Sequence, residues 1–119
     1  MTINEYQQLA LRTEYLENPK YEEIDVNTLR LMQGLMGLNG EAGECIDLLK
    51  KHLYQGHWFD RVHLAKELGD VAWYLALSAD ALGYKLEDIF AMNVQKLESR
   101  YPNAVFSVDA STNRKDGDV

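Results

Sequence analysis

Apolar side chains recur along this chain at intervals of three and four, the period of an amphipathic helix, and no stretch alternates long enough to write a strand. Thr2 with Glu5 three residues later is a capping box, and Ile3, Tyr6, Leu9, Ala10 and Leu16 follow on one face, so a first helix is predicted over 3–16. Asn18-Pro19 ends it, and residues 17–26 form a connection. A second helix is predicted over 27–54, with Leu35, Leu38, Ala42, Ile46, Leu49 and Leu53 as its core face. Asp60 caps a third over 61–82 whose core stripe is Leu64, Leu68, Val71, Leu75, Ala79 and Leu82, closed by Gly83 in a left-handed conformation. The fourth runs over 86–100 and stops before Tyr101-Pro102.

The predicted class is therefore all-α, a bundle of four to five helices. Residues 1–103 form one helical domain, and 104–119 a polar tail that is mobile or held by a neighbouring subunit. Glycines at 34, 37, 40 and 43 of the second helix each weaken it by about 1 kcal/mol relative to alanine. Two explanations stand: close approach of another helix, or a local bend near Asn39-Gly40.

Composition narrows the function. At 119 residues the chain buries only a modest core, which oligomerisation would supplement. No apolar run reaches the roughly 18 residues of a membrane span, and the amino terminus has no export signal, so the expected location is cytoplasmic. A net charge of −7 argues against nucleic-acid backbones as partners. The lone Cys45 excludes an internal disulfide and any multi-cysteine zinc site.

The candidate chemistry lies in two acidic pairs, Glu41-Ala-Gly-Glu44 and Glu67-Leu-Gly-Asp70, on consecutive predicted helices. Residues three apart on a helix point toward one small volume, so two packed helices would bring four carboxylates together. Apolar neighbours from Leu68 to Leu77 predict that Glu67 and Asp70 are deeply set. Charges so placed need compensation, most simply a divalent cation. Carboxylate oxygens suit magnesium, with manganese as a substitute, and magnesium in proteins most often works on phosphates. A carboxylate-bridged di-iron site would use Glu-x-x-His on two helices, which the chain lacks. His63 could sit at the edge of the cage, whereas His52 and His57 read as surface or loop residues. Trp58 reads either as a base-stacking residue or as a buried loop anchor.

The spacing of Glu41 and Glu44, residues 45–66 and then Glu67 and Asp70, resembles the MazG-like group of all-α nucleoside triphosphate pyrophosphohydrolases. So do the contexts Gly40-Glu41-Ala42-Gly43-Glu44 and Lys66-Glu67-Leu68-Gly69-Asp70-Val71, and Asn93-Val-Gln-Lys96 with Arg100-Tyr101-Pro102. That resemblance implies magnesium-dependent cleavage of a nucleoside triphosphate to the monophosphate and pyrophosphate by a homodimer or homotetramer. It implies Glu41, Glu44, Glu67 and Asp70 as metal ligands and catalytic residues. Lys96 and Arg100 would neutralise the triphosphate, and Asn93 and Tyr74 would contact the nucleotide or a phosphate. Lys96 and Arg100 also suit an ordinary helix C-terminus, and Tyr74 a core position. The competing class is a non-enzymatic helical module for dimerisation or nucleotide sensing, which would release no product.

Overall fold

The computed structural model describes residues 1–15 and 24–119, and their regular structure is entirely helical: α1 Ile3–Leu11, α2 Val26–Gln55, α3 Arg61–Ala81, α4 Leu86–Arg100 and α5 Val108–Thr112. The expected stop at Asn18-Pro19 and the expected core residue Leu16 lie outside the described residues. The chain divides into two compact units, Met1–Leu86 and Glu87–Val119. This division falls within the stretch predicted to be one domain. No helix among the described residues is long and apolar enough to cross a membrane.

Local chemistry sets the helix ends. The Thr2 hydroxyl accepts the Glu5 amide at 3.0 Å while the Glu5 carboxylate accepts the Thr2 amide at 2.6 Å, completing the predicted box. Asp25 and Asp60 cap α2 and α3 by accepting the amides of Thr28 and His63, each at 3.0 Å. At the end of α3, Gly83 (φ +80°) lets its own amide reach Asp80 and the Tyr84 amide reach Ala79, both at 2.9 Å. Gly56 (φ +71°) closes α2. Helix α1 is shorter than predicted. The Trp73 indole and the Thr13 hydroxyl each donate to the Ala10 carbonyl at 3.0 Å, taking an acceptor that a longer helix would also use.

In the first unit α3 is central, with α1 and α2 both packed against it. Ala76, Leu77, Ser78 and Ala79 are all buried, so this part of the helix is enclosed on every side. Gln7 of α1 ties the layers: its Nε2 donates to the carbonyls of Ala76 and Tyr84, and its Oε1 accepts the Leu86 amide at 3.0 Å.

The predicted core face of α2 needs correction. Leu35, Ala42, Ile46 and Leu53 are exposed in the single chain, and only Leu38 and Leu49 are half-buried. The face against α3 is a neighbouring one, turned by about 100°, that carries Gly34, Gly37 and Glu41, with Leu31, Cys45 and Leu48 half-buried along the same line. Glycine explains the shift. A Cβ on Gly34 would come within 2.2 Å of Ser78 Oγ, and one on Gly37 within 2.1 Å of the Tyr74 ring, so the helices meet where side chains are missing. Leu68 and Leu82, predicted for the α3 core, are also exposed.

The second unit contains nearly all of α4. Helix α5, which the sequence pattern did not predict, is capped by Ser107, and Asp118 pairs with Arg100 of α4 within the same unit. The Tyr101 and Phe106 rings pack at 5.5 Å.

Candidate metal centre

Glycine contacts at positions 34 and 37 bring α2 close to α3, and one turn further along α2 the acids face each other across the crossing. Glu41, Glu67 and Asp70 each offer a carboxylate oxygen, and the three oxygens lie within 4.8 Å of one another. Glu44 is exposed and is not a member of this converging trio. The acids are also less deeply set than the sequence predicted. Glu41 and Glu67 are half-buried and Asp70 is exposed, as is Leu68, one of the apolar neighbours expected to enclose them.

The carboxylates of the cluster act on one another. The Glu41 carboxyl is pushed above its usual pKa by desolvation first, and then by the charges of Glu44, Asp70 and Glu67. The Cys45 thiol, one turn on, is pushed up by desolvation and by Glu67, Glu41 and Glu44. It therefore stays a thiol, a poor metal ligand, while the carboxylates present a hard oxygen set. A divalent cation fits that donor chemistry.

Two neighbours organise the trio. His63, one turn before Glu67 on α3, donates its Nε2 hydrogen to Glu67 Oε1 at 2.9 Å and so orients that carboxylate. Tyr6 of α1 has its hydroxyl pKa raised by burial and then by Asp70. Tyr6 carried no chemical signal in the sequence, where it read only as part of a helical face. Packing of α1 on α3 is what brings it to the acids.

Residues 30–105 match the family described as the MazG nucleotide pyrophosphohydrolase domain. The chain belongs to the MazG family. This MazG chain is also 40% identical over 74 residues to the Gene 37 protein of Mycobacterium phage L5, a match covering 59% of this chain and 65% of that protein. It thus spans a little under two thirds of that relative's length. No solved structure matches the chain significantly.

Within the MazG match, the remaining predicted residues fall in two places. Tyr74 belongs to the first unit, half-buried against Gly37 and edge-on to Trp73 at 4.9 Å. Asn93, Lys96 and Arg100 belong to the second unit. Asn93 is exposed and Lys96 half-buried, while Arg100 is held by Asp118. Trp58 is 82% exposed, so it is not the buried anchor of the α2–α3 loop. Phe59, half-buried, places its ring 5.6 Å from His52, whose Nδ1 hydrogen is donated to the His57 carbonyl at 2.8 Å.

The MazG chain also contains an ion network that the sequence did not reveal. Arg30 of α2 pairs with Glu14 through two nitrogens and with Asp80 of α3 at 2.6 Å. Glu14 and Arg30 are 6% and 12% exposed. Opposite charges at distant sequence positions give no local periodic signal.

Proposed function

We propose that this protein is a magnesium-dependent nucleoside triphosphate pyrophosphohydrolase, with manganese as a substitute ion, releasing the monophosphate and pyrophosphate. The single observation that carries the reading is the convergence of Glu41, Glu67 and Asp70 oxygens within 4.8 Å, inside a chain of the MazG family. These three residues would hold the cation. When bound, magnesium polarises phosphate oxygens and lowers the pKa of bound water.

The chain's own side chains do the rest. Glu44, outside the trio, is the carboxylate assigned to accept the proton of the attacking water. The water oxygen bonds to phosphorus, the bond to the bridging oxygen breaks, and pyrophosphate leaves. His63 keeps the Glu67 carboxylate oriented. Lys96 and Arg100 are assigned to phosphate charge, Asn93 to the nucleotide, and Tyr74 to the wall of the site through its seat on Gly37.

A homodimer or homotetramer is the proposed assembly. Leu35, Met36, Ile46 and Leu53, exposed along α2, support it. The proposed location is cytoplasmic and the proposed partner a nucleoside triphosphate, with neither nucleic acid nor membrane involved. Incubation with a panel of canonical and modified triphosphates plus magnesium, separating pyrophosphate from orthophosphate, tests the reaction. Pyrophosphate as the first product supports it. Orthophosphate would move the assignment to terminal phosphate hydrolysis, and no product would favour a sensing or dimerisation module.

A further inference from the structure

Arg100 presents its guanidinium edge to Asp118 as a fork: Nε donates to Oδ2 at 2.8 Å and a terminal nitrogen donates to Oδ1 at 2.6 Å. Both side chains are nearly enclosed, 10% and 14% exposed. Planar two-point donation of this kind takes a carboxylate or a phosphate equally well. A turn delivers the carboxylate, with the Asp118 amide donating to the Lys115 carbonyl at 3.0 Å and Gly117 at φ +84°. Asp118 is also stabilised in its charged form by Arg100 first, then by Arg114 and Lys96. Three cationic side chains of a chain with net charge −7 therefore act on one carboxylate within the second unit. The forked geometry at Arg100 is what a phosphate could take over, with Lys96 and Arg114 adding charge to the same place.

We propose that Asp118 is an autoinhibitory occupant of a polyphosphate site made by Arg100, Lys96 and Arg114, and that substrate phosphates must displace it. The inference rests on the reading that Lys96 and Arg100 serve phosphate. It adds an internal competitor, which reduces apparent affinity by the fraction of molecules in which Arg100 is taken.

The test uses the full chain with inorganic tripolyphosphate as the probe, without metal, by isothermal titration. Asp118→Asn should bind it about fivefold more tightly than the parent, and Asp118→Glu, which keeps the charge, should stay near the parent. In turnover with a nucleoside triphosphate, Asp118→Asn should lower KM by a similar factor and leave kcat unchanged. A measurement on the unsubstituted chain guards against misfolding of the variant: the Arg100 Nε–H resonance must move when tripolyphosphate is added. Unchanged or weaker binding by a folded Asp118→Asn, or an unmoved Arg100 resonance, overturns the proposal. Tighter tripolyphosphate binding without any nucleotide hydrolysis would keep the competitor and remove the hydrolase reading. Hydrolysis with unchanged tripolyphosphate binding would do the reverse.

Discussion

The Tyr74 ring lies directly over Gly37: a methyl group at that glycine would stand 2.1 Å from Tyr74 Cε1. Overpacking of this kind costs about 1–3 kcal/mol, against roughly 1 kcal/mol gained by replacing a helical glycine with alanine. Gly37→Ala should therefore lose about 1 kcal/mol net, near 4 °C in Tm. Gly34→Ala should lose more, since Ser78 Oγ is committed to the Tyr74 carbonyl at 2.8 Å and the Ser78 backbone is also close. Gly40→Ala meets no atom within 4 Å and should gain up to ~1 kcal/mol. Thermal melts of the three variants decide this. Destabilisation at Gly40 would mean that a second chain lies over it.

The crowded acids set stability against metal binding. Because Glu41 is raised by desolvation and by three neighbouring carboxylates, Glu41→Gln should increase Tm in metal-free buffer at neutral pH. Magnesium should raise the Tm of the parent by mass action, and that rise should shrink in Glu41→Gln and vanish in Asp70→Asn. Differential scanning fluorimetry with and without EDTA reads both effects. A magnesium response that survives Asp70→Asn would remove Asp70 from the cation site.

Glu44 and the trio should separate kinetically. Glu44→Gln is expected to retain the magnesium-dependent Tm rise and lose about 10²- to 10⁴-fold in kcat, as for a removed general base. Glu67→Gln should lose both. His63→Ala, acting only through Glu67, should weaken metal affinity about 10- to 100-fold and be partly rescued by excess magnesium. Equal losses of magnesium binding in Glu44→Gln and Glu67→Gln would return Glu44 to the ligand set.

Arg30 joins Glu14 and Asp80 in a mostly enclosed network. Arg30→Ala strands the Glu14 charge at 6% exposure and should cost about 3 kcal/mol in urea unfolding at neutral pH. The double variant Arg30→Ala with Glu14→Gln should recover part of that loss. No recovery would show that the arginine acts through packing alone.

Asp47 supplies an acid-range marker on α2. Lys50 and Lys51 each approach it at 2.8 Å and hold its carboxyl down to about 2. A depressed carboxyl contributes stability that is full above its unfolded pKa of about 3.9 and disappears as pH falls through the folded value. NMR titration should find the Asp47 midpoint near 2, with α2 amide signals around Lys51 shifting over the same range. A midpoint near 3.9 would mean that the two lysines do not hold it in solution.

Interactions spanning three or four residues were open to reading from the chain: the Thr2–Glu5 box, the Asp60 cap, the Gly83 terminator and the spacing of each acidic pair. Their physics is complete within one helical turn, so no other part of the molecule is needed to specify it. The buried face of α2 was not legible, because hydrophobic periodicity marks large side chains and this helix crosses α3 on Gly34 and Gly37, which carry none. Nor did the pattern reveal Tyr6 beside Asp70, Arg30 between Glu14 and Asp80, or Asp118 on Arg100. Each joins positions that only packing brings together. By itself the sequence determined the four longer helices, apart from the early end of α1, and the four acids; tertiary structure decided that Glu41, Glu67 and Asp70 converge while Glu44 stands apart, since convergence depends on how two helices are rotated about their axes at the crossing.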